Sequence, residues 1–180
     1  MTTATLNTLP LRKKPRALPA SIAAVRIATP LGEMVAGASA DGICMLEFAD
    51  RLEAKQEHPG LHPVQNLHLD KLRREIDLYF SGQLREFSVP LDMAGTQFQK
   101  SVWQALLTIP YGQTRSYKQQ ALMIGQPKAV RAVGMANGAN PISIVIPCHR
   151  VIGADGRLTG YGGGLWRKRF LLDLEQKKIK

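Results

Sequence analysis

The stretch SYKQQALMIGQPKAVRAVGMANG, residues 116–138, carries the clearest fold signals in this sequence of 180 residues. Ser116 followed three residues later by a glutamine is the capping-box pattern, which predicts a short helix to about Ile124. A Gly-Gln pair then favours a tight turn, and Pro127 is well placed as the first residue of a second helix running to about Gly138. Two short helices joined by a glycine-containing turn are the outline of a helix-turn-helix.

The second of these predicted helices is the candidate element for contacting a partner. It carries the cations Lys128 and Arg131 among small residues such as Ala129 and Ala132. Small side chains let a helix backbone lie close to a neighbour, which is either DNA or another helix of the same domain. The pattern by itself favours close packing within the domain.

Helices are also predicted on both sides of this motif. Upstream, Thr96 followed three residues later by a glutamine repeats the capping box, and the helix that begins there stops at Pro110. Its buried stripe is formed by Phe98, Val102, Leu106 and Ile109. Downstream, a final helix from about Leu165 to Lys177 places on its apolar side Phe170, Leu171 and Leu174.

The first part of the chain has the short apolar runs of β-strands. Three runs between Ile22 and Phe48, IAAVRIA, MVAGASA and ICMLEFA, are separated by a Thr-Pro-Leu-Gly turn and an Asp-Gly turn. An Asp-Gly pair between two such runs is a strong hairpin signal. The sequence therefore predicts a sheet built from β-hairpins at this end.

A loop, a helix and an edge strand are predicted between this sheet and the helices. Residues 56–65, with two prolines and two histidines, are expected to form the loop. Apolar residues three or four apart from about Asn66 to Phe80 predict the helix, and Gly82 stands where a C-terminal cap is expected. Residues 87–91 are expected to return as an edge strand, where a proline is tolerated.

Charge divides the chain, whose formal net charge is +10, into three parts. Residues 1–32 hold five basic and no acidic side chains, residues 33–92 hold six and eleven, and residues 93–180 hold thirteen and three. A basic surface of this kind attracts polyanions, most commonly nucleic acid, although a basic face kept for solubility is the alternative. We predict a disordered basic tail over 1–20, an α/β domain over 21–92 and a second domain over 93–180.

Composition also indicates the cellular compartment of the protein. No run of about 18 apolar residues is present, so we expect no membrane span. The prolines and basic cluster of the first twenty residues are unlike a secretory signal, and the prolines also argue against the alternative of an organelle presequence. Two cysteines, Cys44 and Cys148, form neither a disulfide framework nor a four-cysteine zinc site, which favours a reducing cytoplasm and no metal.

Cys148 is the candidate reactive residue. A lone cysteine after an apolar strand is most often a core residue, as we expect for Cys44. Around Cys148, however, Pro147 ends the predicted strand, His149 offers a base, and Arg150 adds positive charge that favours a thiolate. Adjacent side chains in an extended segment point in opposite directions, so proton transfer between the cysteine and the histidine needs a water or a bend.

The imidazole of His149 also needs an orienting carboxylate, and acids are scarce in this half of the chain. Asp155, Asp173 and Glu175 are the only three among the last 88 residues. We expect the partner to be Glu175, which lies on the final predicted helix.

The segment IPCHRV, residues 146–151, closely resembles the active-site segment of the O6-alkylguanine-DNA alkyltransferases. Matching residues accompany it in RAVG (131–134) and Asn-Pro (140–141), and in YGGG (161–164) and LLDLE (171–175). The resemblance covers roughly residues 22–176 and is specific from Gln97 onward. It implies an α/β (α+β) fold, with an N-terminal ribonuclease-H-like sheet-and-helix domain and a C-terminal helical, winged-helix-like DNA-binding domain.

The resemblance also implies roles for individual residues. Cys148 matches the alkyl acceptor, activated through water by His149, which Glu175 orients. Tyr117 matches the tyrosine that helps to protonate the departing guanine and rotates the 3′ phosphate. Arg131 matches the arginine that fills the space of the flipped nucleotide; a plain phosphate contact is the alternative.

Further positions follow from the same resemblance. Asn140 matches the hinge asparagine between the recognition helix and the active-site strand, and DNA contacts are implied for Lys128, Ala129 and Ala132. The substrate pocket is expected to include Asn137, Val151, Tyr161, Gly162 and Lys168. Gly162 departs from the serine that relatives often carry, and Asn137 from a larger residue, so we hypothesise a widened pocket that admits bulkier alkyl groups.

The implied function is single-turnover repair of O6-alkylguanine, and less efficiently O4-alkylthymine, in duplex DNA, with no cofactor. The resemblance implies a cytoplasmic, nucleoid-associated monomer and leaves cooperative binding along DNA open. One alternative is a damage sensor or helix-turn-helix regulator without chemistry, although sensors of this kind typically have tryptophan in place of Cys148. A cysteine hydrolase is the other, disfavoured because the remaining histidines lie in the acidic middle at positions 58, 62 and 68.

Overall fold

The computed structural model describes residues 22–54 and 66–177. The predicted tail (1–20) and the predicted loop (56–65) lie outside the described residues. The first half contains β1 (Ala23–Ile27), β2 (Met34–Ala38), β3 (Ile43–Phe48), α1 (Ala49–Ala54) and α2 (Leu67–Phe80). The second half contains α3 (Gln97–Leu107), β4 (Arg115–Ser116), α4 (Tyr117–Met123), α5 (Val130–Gly138), a 3₁₀ turn (Cys148–Arg150), β5 (Val151–Ile152) and α6 (Leu165–Glu175).

The three predicted β runs form one antiparallel sheet in the order β1-β2-β3, which confirms the hairpins. The Asp-Gly turn lies between β2 and β3, and its glycine is required by a close backbone contact. A Cβ at Gly42 would lie 2.5 Å from the carbonyl oxygen of Pro90, so any side chain there would displace the neighbouring segment. The turn therefore fixes both the hairpin and the path of the chain beside it.

The predicted edge strand at residues 87–91 is wrong, because only a single bridge forms, between Leu91 and Ile43. Two backbone N–H groups that a strand would use are taken by a buried carboxylate instead. Glu75 of α2 accepts hydrogen bonds from the N–H of Ser88 at 3.0 Å and of Val89 at 3.2 Å. Pro90 has no N–H to donate, so the segment is anchored mainly to α2 and meets the sheet only at the bridge to Ile43.

Helix α2 packs against β1 and β2 and confirms the prediction from apolar spacing. The side chain of Asn66 caps it by accepting hydrogen bonds from the N–H groups of His68 and Leu69. Gly82 follows the C-terminus with φ of +73°, a conformation that favours glycine. The buried face of the helix consists of Leu69, Leu72, Glu75, Ile76 and Tyr79.

The helix-turn-helix is present, with one boundary different from the prediction. Both capping boxes form, at Thr96 for α3 and at Ser116 for α4. Helix α5 begins at Val130 rather than Pro127, because the N–H of Ala129 bonds to the carbonyl of Gln126 and closes a turn there. Helices α3, α4 and α5 pack against one another.

The predicted strand that Pro147 ends is also wrong, since the buried apolar run before it, ISIVI at residues 142–146, is a series of turns. Ile142 makes a single bridge to Leu46 of β3, and the chain then turns away at Ile144, whose φ is +71°. The turn is closed by the N–H of Ile146, which bonds to the carbonyl of Ile142 at 3.0 Å. Cys148 therefore follows a compact buried turn rather than the end of a strand.

One apolar core joins the two halves. Among its buried members are Phe48, Tyr79, Trp103, Ile146 and Leu171. A second, two-stranded parallel sheet, which the sequence did not predict, pairs β4 with β5. The architecture confirms the predicted mixed α/β class, with a sheet-and-helix first half and a helical second half. Over residues 22–54 and 66–177, no helix is long and apolar enough to cross a membrane.

Candidate active site around Cys148

Cys148 opens the 3₁₀ turn and is almost fully buried, with 8% of its surface exposed. The amide of Asn140 lies against its sulfur, with Nδ2 3.3 Å from Sγ. The same Nδ2 donates to the carbonyl of Ile146 at 2.8 Å, while Oδ1 accepts from the N–H of Ile142 at 3.0 Å. Asn140 thus connects the end of α5 to the turn that carries the thiol, as the predicted hinge would.

Burial raises the pKa of the Cys148 thiol, while the hydrogen bond from Asn140 and the positive charge of Lys168 oppose that rise. Arg150, which is predicted to favour a thiolate, gives the hydrogen bonds of its guanidinium to other partners. It bonds to Glu175 and, through Nη1, to the carbonyl of Ile109 at 2.6 Å. The resting side chain is therefore a thiol that needs a base.

The neighbouring histidine is fully buried and paired with the predicted carboxylate. Nε2 of His149 lies 2.9 Å from Oε1 of Glu175, whereas Nδ1 has no hydrogen-bond partner among the described residues. Burial lowers the pKa of His149 despite the nearby carboxylate. The ring is therefore neutral at neutral pH, with its proton on Nε2 toward Glu175 and a lone pair on Nδ1.

Glu175 receives donors from several segments in addition to His149. They are the hydroxyl of Tyr79 at 2.8 Å, the N–H of Gly112 at 3.0 Å, and Nε and Nη2 of Arg150, each at 2.9 Å. Burial alone would raise the pKa of this carboxyl group, but His149 and Arg150 hold it well below its usual range. Glu175 is therefore a fixed anion.

Sequence reasoning missed Tyr79 as part of this network. Tyr79 occupies the apolar face of α2, where an aromatic residue is indistinguishable from a core residue. Its hydroxyl hydrogen bond crosses 96 positions of sequence. No local pattern carries that information.

Lys168 is fully buried and lies where the predicted pocket residues meet. Its Nζ donates to the carbonyl of Val151 at 2.6 Å and to that of Thr159 at 2.7 Å. Burial without a carboxylate partner lowers its pKa to about 8. The hydroxyl of Tyr117 donates to the same Thr159 carbonyl at 3.0 Å, so two of the predicted site residues, Tyr117 and Lys168, bond to one loop.

The glycine-rich segment after this loop also approaches the thiol. Burial, together with the negative charge that Cys148 would carry, raises the pKa of Tyr161 well above its usual value. The hydroxyl of Tyr161 has no hydrogen-bond partner among the described residues. Gly162 packs against the guanidinium of Arg51, a residue of α1 that the sequence did not single out.

Asn137 makes its contacts with α4 and not with the other predicted pocket residues. Its side chain is buried and makes two hydrogen bonds to Gln120 of α4, at 2.7 and 3.1 Å. Asn137 therefore holds α5 against α4. On the surface of the same motif, Arg131 and Ala132 are exposed on α5, Lys128 is exposed in the preceding turn, and Ala129 is half-buried.

Two family models match the chain. The model described as 6-O-methylguanine DNA methyltransferase, ribonuclease-like domain, matches residues 26–93, and the model of the DNA binding domain matches residues 97–177. The matched ranges correspond to the sheet-and-helix half and the helical half of the structure.

Curated relatives carry a consistent name. A methylated-DNA–protein-cysteine methyltransferase of Mycobacterium leprae is 46% identical over 84% of this chain and 90% of its own length. One of Methanosarcina barkeri is 47% identical over 86% of this chain and 97% of its own length. The match to one of Mycobacterium tuberculosis is 64% identical but spans 63% of that protein, less than two thirds of its length.

Solved structures agree with the sequence comparison. The crystal structure of Mycobacterium tuberculosis O6-methylguanine methyltransferase superposes with a TM-score of 0.77 at 45% identity, covering 89% of this chain and 96% of that one. A structure of Mycobacterium tuberculosis OGT in complex with DNA gives a TM-score of 0.74 at 46% identity, covering 85% and 92%. Since the identity and coverage hold across both halves, the chain belongs to the 6-O-methylguanine DNA methyltransferase family.

Proposed function

We propose that this protein repairs DNA by transferring the alkyl group of O6-alkylguanine, and less efficiently of O4-alkylthymine, irreversibly to Sγ of Cys148. The observation that carries the proposal is the arrangement of Cys148 between Asn140, 3.3 Å from the sulfur, and the buried His149–Glu175 pair. It supplies a nucleophile, a group that orients it, and a base whose own orientation is fixed.

Activation of the thiol follows from the protonation states. The thiol is neutral at rest because burial raises its pKa, and His149 is neutral because burial lowers its pKa. One water between Nδ1 and Sγ would carry the thiol proton to the imidazole. The imidazolium that forms is stabilised by Glu175, which lies 2.9 Å from the other ring nitrogen.

The transfer step balances without a cofactor. The thiolate forms an S–C bond to the alkyl carbon as the bond from that carbon to O6 breaks, and the electron pair leaves with the guanine. The departing base then takes up one proton, for which Tyr117 is the donor that we assign, with its hydroxyl held at the Thr159 carbonyl. The product is a thioether, which water does not readily cleave, so each molecule acts once.

The alkylated base must leave the helix before it reaches a buried sulfur, at a cost of a few kcal/mol that poor pairing reduces. We assign Arg131, exposed on α5, to the space that the flipped nucleotide leaves. The exposed cation Lys128 contacts phosphate in this arrangement. Ala129 and Ala132 let the helix backbone lie close to the duplex.

In this proposal, residues 21–92 and residues 93–180 have different roles. The second part holds the thiol, the base and the DNA-contacting helix, and the first part contributes Tyr79 and Arg51 to the site. We propose a monomer associated with the nucleoid in the cytoplasm. Sedimentation with and without duplex DNA would report both the monomer and any cooperative binding.

Transfer of radiolabel from DNA containing O6-[³H]methylguanine tests the function. We expect one methyl group per protein molecule in a single burst, no transfer in Cys148→Ala, and full transfer in the matched control Cys44→Ser, whose cysteine is buried in the sheet. Continued turnover, or transfer that survives in Cys148→Ala, would overturn the proposal.

A further inference from the structure

We infer that Arg51 is a specificity-determining residue: its guanidinium forms the wall of the alkyl pocket next to Gly162 and limits the size of the adduct. The inference rests on the proposed function, because it concerns which O6 substituents the same site accepts. It also replaces the hypothesis that a glycine at position 162 widens the pocket.

The first observation is the contact between the two residues. A Cβ built on Gly162 would lie 2.2 Å from Nη1 of Arg51 and 2.3 Å from Cζ, far inside van der Waals contact. The guanidinium therefore occupies the volume that a side chain at position 162 would take. A glycine here leaves no space, because the first half of the chain supplies an arginine to fill it.

The second observation is that Arg51 is held at both ends of its guanidinium. Nη1 donates to Oε2 of Glu47 at 2.5 Å, and Nη2 donates to the carbonyl of Gly138 at 2.9 Å. Glu47 is itself buried and bonded to the hydroxyl of Ser143 at 3.3 Å. A side chain held in this way acts as a fixed wall rather than a mobile surface group.

The third observation is the position of Arg51 between α5 and the glycine-rich segment. Gly138 ends α5, and Gly162 lies in the glycine-rich segment before α6, so Arg51 spans from the DNA-contacting helix to the loop beside the thiol. The positive charge of Arg51 lowers the pKa of Cys148 and of Tyr161, opposing the stronger effect of burial. Charges influence one another this way only when they are close and poorly solvated.

Adduct selectivity tests the inference. Single-turnover rates are measured on duplex DNA carrying O6-methylguanine or O6-benzylguanine. We expect Arg51→Ala to raise the benzyl-to-methyl rate ratio by at least about fivefold, since removing a pocket wall favours the larger group. The matched control Arg26→Ala removes a half-exposed cation of the sheet, paired with Glu33, and should leave the ratio unchanged.

Substitution of the contact partner gives an independent measurement. Gly162→Ser should slow transfer of both groups about tenfold or more by colliding with the guanidinium, and the double variant Arg51→Ala/Gly162→Ser should recover methyl transfer to within about threefold of the parent. Thermal unfolding establishes whether each variant is folded.

The outcomes separate the two proposals. If the parent protein transfers methyl groups but a folded Arg51→Ala variant keeps the parental ratio, the role of Arg51 is wrong while the function stands. If Arg51→Ala does not fold, Gly162→Ser decides: parental rates in that variant overturn the inference. If the parent protein transfers neither group, the proposed function itself fails.

Discussion

The hydroxyl of Tyr79 donates a 2.8 Å hydrogen bond to Oε1 of Glu175, the same oxygen that lies 2.9 Å from Nε2 of His149. Both partners are buried, and they belong to α2 in the first half of the chain and to α6 in the second half. The first half of the protein thereby supplies a donor to the carboxylate that orients the candidate base. Tyr79 is a positioning residue, since it acts on the reaction through Glu175.

Tyr79→Phe removes this donor while keeping the aromatic packing. A hydrogen bond to a charged group is worth about 1.5–3 kcal/mol, so we expect the free energy of unfolding in urea to fall by about that amount. Without the competing donor, Glu175 interacts more strongly with His149 and raises its pKa. The ratio of the transfer rate at pH 6 to that at pH 8 should therefore fall, because more of the base is already protonated at pH 6.

Tyr111→Phe is the matched control for this experiment. Tyr111 packs edge-on against Tyr79, at 6.1 Å between ring centroids, and its hydroxyl donates no hydrogen bond to Glu175. An identical change in the pH dependence of both variants would show that the hydrogen bond from Tyr79 to Glu175 does not set the behaviour of His149.

Asn140→Ala should make the thiol less acidic. The amide of Asn140 opposes the effect of burial on the pKa of Cys148, and without it the pKa rises further. In a Cys44→Ser background, the rate of alkylation by iodoacetamide as a function of pH reports this value directly. We expect the midpoint to move to higher pH and single-turnover transfer at pH 7.5 to fall by about tenfold or more; an unchanged midpoint would contradict a role for Asn140 at the sulfur.

Elements with strong local signals could be predicted from the sequence. Capping boxes at Thr96 and Ser116 determine where α3 and α4 begin, because the side chains satisfy backbone groups only three residues away. The Asp-Gly turn determines the second hairpin for a similar reason. These are local interactions, which a sequence pattern records.

The wrong predictions fall where distant residues decide the local structure. In residues 87–91 the carboxylate of Glu75 takes the N–H groups of Ser88 and Val89, and in residues 142–146 a single bridge to β3 forms at Ile142 before the chain turns at Ile144. An apolar run has the same composition in either conformation. Tertiary hydrogen bonds to Glu75 therefore override strand propensity in the first segment, and a turn closed between Ile142 and Ile146 overrides it in the second.

The same distinction between local and distant interactions applies to the residues of the candidate site. Cys148, His149 and Glu175 could be proposed because a reactive thiol, an adjacent base and a scarce carboxylate are visible in composition. Tyr79 and Arg51 could not, since one resembles a core aromatic residue and the other a surface cation. Their roles depend on contacts between the two halves of the chain.

Lys168 should make stability rise with pH in mildly alkaline solution. Its pKa is about 8 in the folded protein and near its ordinary value when unfolded, so between these values the unfolded state binds more protons. The free energy of unfolding then increases with pH, by about 2 kcal/mol between pH 7 and 9.5. Lys168→Met should lack this increase.

The measurement is made in a Cys148→Ala background, because the charge of the thiolate acts on Lys168. The difference in unfolding free energy between the lysine and methionine forms, taken from urea titrations, isolates this one group. A difference that stays constant or falls from pH 7 to 9.5 would mean that the pKa of the buried amine is not lowered by folding.

Variants of Arg131 distinguish base flipping from the transfer reaction, because Arg131 is exposed on α5 while the thiol is buried. A side chain that fills the gap in the base stack matters only when a base must be flipped, so Arg131→Ala should slow transfer from duplex O6-methylguanine by about tenfold or more. The reaction with free O6-benzylguanine, which needs no flipping, should stay within about twofold of the parent protein.

Arg131→Lys distinguishes a wedge, meaning a side chain inserted into the base stack, from a phosphate contact. A wedge needs the planar guanidinium, whereas a phosphate contact needs only the charge. We therefore expect Arg131→Lys to behave like Arg131→Ala on duplex DNA, and parental rates in the lysine variant would leave Arg131 as a phosphate-binding cation.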